Sequence, residues 1–217
     1  MASAVVVPAI LTNDPAVYQQ QMTNYMQFSK RIQLDISDGE FSPTATIQMD
    51  GLAFPQGVEV DLHMMALRPS EHLQQIIAAK PALVILHAEA GENLLPVFEE
   101  LKKAGIKTGV ALLQATYPGR VRPYIEAVDH VMIFAGEIGQ QGGTADLLQT
   151  EKVALIKAIK ADVEIGWDGG ANMKNVRTIA HAGVNVINVG SAFAQAENPA
   201  ELYDELLKES DRAGVAL

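Results

Sequence analysis

Short apolar runs and longer amphipathic stretches alternate along the chain. The apolar runs cover 4–10, 31–35, 58–63, 83–87, 107–112, 130–134, 163–168 and 186–189. Each has the length of a strand, and most are rich in Val and Ile, which pack well on a pleated surface. They stay apolar rather than alternating with polar residues, as strands covered on both faces do. Between them, 15–28, 69–79, 94–104, 118–127, 150–160, 175–182 and 199–210 have helical spacing, and 46–52 is a shorter helical candidate. The punctuation agrees. Gly105 and Gly183 stand where a helix ends in a left-handed residue. Asn13-Asp14-Pro15, Ser70-Glu71 and Asn198-Pro199 read as helix starts.

Strands that alternate with helices pair in parallel. Eight strand–helix units of about 27 residues fill the 217 residues, which predicts an α/β protein with one (β/α)8 barrel domain over 1–217. The competing architecture is an open doubly wound sheet. It calls for a GxGxxG turn after the first strand, and Ile10-Leu11-Thr12-Asn13-Asp14 contains none, so no nucleotide cofactor is expected.

Charge and composition narrow the function. Lys and Arg number 16 against 26 Asp and Glu, a formal net charge of −10. Such a surface suits neither nucleic acid nor an anionic membrane. With no cysteine, disulfides, thiolate metal sites and cysteine nucleophiles are excluded. The apolar start is broken by Pro8 and carries no basic residue, and no apolar run reaches a membrane-spanning length. A soluble, cytoplasmic protein is expected.

The ionisable residues are placed unusually. Asp35 closes the second apolar run. His63 closes the third, with Asp61 just before it. His87 closes the fourth, with Glu89 two residues on, and Asp168 closes the seventh. In a (β/α)8 barrel these positions share the C-terminal rim, where active sites lie. The second and seventh strands lie nearly opposite each other. Asp35 and Asp168 could therefore reach one carbon from two faces, one removing a proton and the other returning it. The bland alternative is that each Asp caps the helix after its strand. Gly136 and the run Gly139 to Gly143 follow the sixth strand, Gly169 and Gly170 the seventh, and Gly190-Ser191 the eighth. Glycine lets backbone N–H groups approach an anion, so these loops suit a phosphate. Asp35, His63 and Asp168 also have the chemistry of metal ligands. His130 and His181 read as surface or helix-packing residues. Met64 and Met65 read first as barrel packing and second as an apolar wall.

Together these segments resemble the ribulose-phosphate 3-epimerase family. Pro8-Ala9-Ile10-Leu11 is similar to its opening P-S-I-L, and residues 33–43 to its H-x-D-x-M-D-G-x-F-x-P. Asp61-Leu62-His63-Met64-Met65 is similar to D-x-H-L-M, and His87-Ala88-Glu89 to H-x-E. Gly109-Val110-Ala111-Leu112 with Ala115-Thr116, Asp168-Gly169-Gly170 and Gly190-Ser191-Ala192-Phe193 follow the family in the same order. The resemblance implies a ribulose-phosphate-binding barrel and a sugar-phosphate epimerase acting through an enediolate. Asp35 and Asp168 would be the bases. Gly139, Gly142, Gly169, Gly170, Gly190 and Ser191 would hold the phosphate. Asp35, His63 and Asp168 would ligate a divalent metal. The departures are Gln33 for the first metal histidine, Ala9 for Ser, Ser37 for Met, Phe134 for the methionine of the sixth strand, and Glu137-Ile138 for N-P. Gln33 is a weaker ligand than imidazole, so Mn, Mg, Fe or Zn is expected to bind weakly or not at all. A related isomerase or lyase with another phosphosugar, and a non-catalytic sugar-phosphate-binding barrel, are the other readings. A homo-oligomer is the expected assembly.

Overall fold

In the computed structural model, which describes residues 4–50, 52–138 and 142–213, all eight strands form. They are β1 (Val5–Ile10), β2 (Arg31–Ser37), β3 (Glu59–Met65), β4 (Leu83–His87), β5 (Lys107–Leu112), β6 (His130–Phe134), β7 (Glu164–Asp168) and β8 (Val186–Val189). Each pairs in parallel with its neighbour in sequence, and β8 pairs with β1, which closes the barrel. Closure leaves no unpaired sheet edge. The helices outside it are α1 (Pro15–Tyr25), α2 (Leu73–Ala79), α3 (Leu95–Lys103), α4 (Arg122–Ala127), α5 (Lys152–Ile159), α6 (Val176–His181), α7 (Ser191–Gln195) and α8 (Pro199–Ser210). Among the described residues, no helix is long and apolar enough to cross a membrane.

Side chains alternate in and out along each strand. Outward residues such as Leu34, Leu62, Val131, Ile165, Trp167 and Ile187 pack under the helices in one large core. Inside the barrel, Leu83, Ile85, Ala111 and Met132 form a small apolar cluster of their own. The starts expected for α1 and α8 are present. Asp14 accepts from the Ala16 N–H, and Asn198 accepts from the Glu201 N–H.

Several expectations need correction. Segment 46–52 is not helical in its described residues. Its buried apolar residues Ile47 and Met49 are two apart, the spacing of extended chain, and the Ile47 N–H bonds the Thr12 carbonyl instead of a helical partner. The unit after β2 is therefore a loop with no helix in its described residues, and Asp38 organises it. The Asp38 carboxylate accepts from the N–H groups of Glu40, Phe41 and Leu67. α1 stops at Tyr25 rather than residue 28, and α7 was not expected. Both β2 and β3 run two residues further than predicted, because they pair with each other throughout, from Arg31↔Glu59 to Ser37↔Met65. Asp35 and His63 thus sit inside their strands rather than at the ends.

His130 is not a surface residue. It opens β6, is buried, and its Nδ1 lies 2.7 Å from Glu164. Arg31 joins them, with Nε 2.7 Å from Asp61 and its guanidinium nitrogens 3.0 and 2.8 Å from Glu164. This group fills the N-terminal end of the barrel and includes Asp61, two residues below His63. His181 ends α6 and is exposed, as expected.

Candidate active site

Three strands bring the central group together. Asp35 of β2 and His63 of β3 are register partners, so their inward side chains lie side by side. Asp168 arrives from β7. His63 Nδ1 stands 3.0 Å from Asp35 Oδ1 and 3.5 Å from Asp168 Oδ2. One ligating atom from each of Asp35, His63 and Asp168 can be chosen so that all three lie within 4.8 Å of one another. Gln33, one inward step before Asp35 and wholly buried, completes the group. Its Nε2 donates to Asp35 Oδ1 at 2.9 Å and to Asp168 Oδ2 at 2.5 Å, so one neutral amide spans both carboxylates. Gln33 Oε1 is buried without a hydrogen-bond partner.

Burial without a full counter-charge displaces the proton affinities. Burial, and then the Asp35 charge, push Asp168 up to about 7, against partial opposition from His63 and the Gln33 hydrogen bond. Burial pulls His63 down, but its hydrogen bond to Asp35 and the charges of Asp35 and Asp168 outweigh that and raise it. His87 moves the other way. Burial and the neighbouring His63 lower it to about 4, although Glu89 opposes them. The two imidazoles meet Nε2 to Nε2 at 2.9 Å. With His63 protonated and His87 neutral, His63 donates and His87 accepts, which leaves the His87 Nδ1 hydrogen toward Glu89 Oε2 at 3.4 Å. Glu89 in turn accepts from the Leu113 N–H at 3.0 Å and from the Thr116 hydroxyl. The structure thus joins His87 and Glu89 to the centre. Phe134 packs against both imidazoles and Phe41 against His87. Met65 lines the cleft, whereas Met64 packs in the outer core.

The glycine loops border the same cleft. Gly142, Gly169, Gly170, Gly190 and Ser191 line it together with Asp35, His63 and Asp168. Gly139 lies outside the described residues. Gly169 and Gly170 have φ of 105° and 67°, and a Cβ on either would stand 2.1 to 2.2 Å from a backbone nitrogen of the loop after β6. Only glycine permits so close a backbone approach. Ala9 and Phe134 also reach the cleft. Ser37 turns its hydroxyl to Ser42 at 3.1 Å instead. Sequence reasoning missed a polar cleft residue, Asn188, whose signal was a lone amide in the apolar strand Val-Ile-Asn-Val.

Comparison with known proteins points to one family. A model described as the ribulose-phosphate 3 epimerase family matches residues 5–194. The chain is 26% identical over 213 residues to the ribulose-phosphate 3-epimerase of Schizosaccharomyces pombe, covering 95% of this chain and 93% of that protein. It is 27% identical over 215 residues to the cytoplasmic isoform of Oryza sativa subsp. japonica, with 95% and 94% covered. Among solved structures, 3-hexulose-6-phosphate synthase from Salmonella typhimurium superposes with a TM-score of 0.66 at 18% identity, covering 95% of this chain and 98% of that one. A likeness at that identity speaks for the fold alone.

Proposed function

Because the chain belongs to the ribulose-phosphate 3-epimerase family, we propose that it is a sugar-phosphate epimerase that inverts one carbon of a ketose phosphate. The observation that carries this reading is the pair Asp35 and Asp168, one buried and one partly buried carboxylate from different strands that face one glycine-rimmed cleft. One carboxylate takes the hydrogen on the carbon beside the ketone as a proton. The C–H electron pair moves onto the carbonyl and gives an enediolate. The other carboxylate then delivers its proton to the opposite face, and the electron pair returns to carbon. An acid and a base are needed at once. Asp168, with its proton affinity near neutrality, can hold the proton to be delivered. His63 stands between the carboxylates and keeps either from standing alone with its charge. The phosphate end of the substrate rests on the backbone at Gly169, Gly170, Gly190 and Ser191, with Gly142 beside them. Both carboxylates and His63 are retained, which favours an enzyme over a barrel that merely binds.

The family's divalent metal fits this chain poorly. Asp35, His63 and Asp168 offer three ligating atoms. At the fourth position Gln33 presents amide hydrogens to the carboxylate oxygens an ion would use. Two carboxylates and one imidazole suit a harder ion such as Mn or Mg, held weakly. Elemental analysis of purified protein is expected to find less than one zinc per chain after dialysis against chelator, and Gln33→His is expected to raise zinc affinity by about 10-fold or more. A tightly held zinc in the unaltered protein would overturn this part.

The activity is tested with D-ribulose 5-phosphate in deuterated water. Deuterium is expected to enter the carbon beside the ketone, with the epimeric sugar phosphate as product. No exchange and no epimer would overturn the proposal.

A further inference from the structure

β8 carries one polar residue, Asn188, among Val186, Ile187 and Val189. Gly166 pairs with Val186 and Trp167 with Ile187, so the next step of the register sets Asn188 beside Asp168. Trp167 and Ile187 pack in the outer core. Alternation therefore turns Asp168 and Asn188 inward together, and both line the cleft. On its other side Asn188 pairs with Val7, and Ala9, the next inward residue of β1, offers a methyl group and no polar atom. Asn188 is 2% exposed, and its Oδ1 is buried with no hydrogen-bond partner. An unsatisfied buried amide is costly, and a fourth apolar residue in this strand would avoid that cost.

The other side-chain N–H groups around the carboxylates are committed. Gln33 Nε2 is spent on Asp35 and Asp168, His63 Nδ1 on Asp35 and His63 Nε2 on His87. The Trp167 indole N–H bonds the Gly169 carbonyl. An enediolate places negative charge on the oxygen next to the carbon that loses its proton, and that charge is best met by a preorganised donor.

We infer that Asn188 is a further catalytic residue, whose side-chain amide, beside Asp168, donates to the substrate oxygen next to the reacting carbon as that oxygen gains charge. The inference rests on the two-carboxylate reading above. Asn188 gives and takes no proton. Its NH2 half serves the oxyanion, and its Oδ1 accepts from a neighbouring substrate hydroxyl, which would satisfy the orphaned oxygen.

Two variants test it with D-ribulose 5-phosphate. Asn188→Leu keeps nearly the same shape without a donor, and Asn188→Asp keeps the shape with acceptors only. Both are expected to lower kcat by about 100-fold or more and to change KM by less than about 5-fold, the split that marks a contact made mainly in the transition state. Deuterium exchange should fall in parallel. Asn188→Leu should melt at or above the temperature of the unaltered protein, because an unsatisfied polar group has been removed. If it fails to fold, Asn188→Asp decides. A kcat within about 3-fold of the unaltered protein, or a raised KM with kcat preserved, would overturn the role. Exchange retained by both variants sinks Asn188 alone, whereas no exchange in the unaltered protein sinks the two-carboxylate reading and this role with it.

Discussion

At the N-terminal end of the barrel, Asp61 and Glu164 share Arg31, and His130 adds a second bond to Glu164. At the C-terminal end, Asp35 and Asp168 share Gln33, and His63 lies between them. Each group has two carboxylates, one histidine and one nitrogen donor from β2. The donors are two residues apart on the same strand, and one is a cation while the other is neutral. The consequences diverge. Burial would raise Glu164, but hydrogen bonds from His130 and Arg31 and their charges hold it well below the usual carboxylate range. Asp168 has no arginine, His63 opposes its shift only in part, and burial with the Asp35 charge pushes it up to about 7. Asp61, almost wholly buried, is raised by that burial even beside Arg31, so the contrast lies between Glu164 and Asp168. The carboxylate met by both a guanidinium and an imidazole stays ionised. One that shares a neutral amide keeps a proton within reach of neutral pH, as acid–base chemistry requires.

Four substitutions can break or sharpen this contrast. The largest effect is expected from Asp35→Asn and Asp168→Asn, each lowering kcat by about 100- to 10,000-fold. Stability should not fall with it. The folded Asp168 binds its proton more tightly than the unfolded chain does. Its favourable contribution is therefore complete below the unfolded pKa near 4 and is lost as pH rises through about 7. Asp168→Asn should accordingly melt higher than the unaltered protein at pH 8 and gain less at pH 5. Thermal melts at the two pH values check this, and a large loss of stability at pH 8 would make Asp168 a structural residue after all.

Arg31→Met should do the reverse. It leaves Asp61 and Glu164 without their cation, at a cost of about 3 kcal/mol, or roughly 6–12 °C in melting temperature for a chain of this size. The folded fraction should keep kcat within a few-fold. Loss of activity without loss of stability would erase the distinction between the two ends.

The smallest effect is expected from Glu164→Gln. The Glu164 side chain is 37% exposed, so solvent screens its ion pairs. Because its folded pKa is depressed, the contribution is present above the unfolded value near 4.3 and fades as pH falls toward the folded one. The variant should melt a few degrees lower at pH 7 and converge with the unaltered protein below about pH 4. A constant difference across that range would show that the ion pairs contribute nothing there.

Much of this was legible beforehand, and the limits have physical causes. Strand and helix alternation is a local property of side-chain pattern, so the barrel, its eight strands and the shared placement of Asp35, His63 and Asp168 follow from the chain alone. Continuous apolar strands can be covered on both faces in few ways. The same pattern misled where burial was not periodic. In 46–52, Ile47 and Met49 pack from an extended loop, and a seven-residue window cannot separate that from a short helix. His130 looked peripheral because a histidine at the start of a strand carries no mark of its partner, and Glu164 lies 34 residues away. The rest was decided in three dimensions. Asp35 and Asp168 are 133 positions apart in sequence, and barrel closure brings both within reach of one Gln33 amide. The sequence by itself determined which residue types line the cleft and in what order. Whether each carboxylate met a cation, an amide or no partner depended on strand register and side-chain direction, and those are settled by the packing of the closed barrel as a whole.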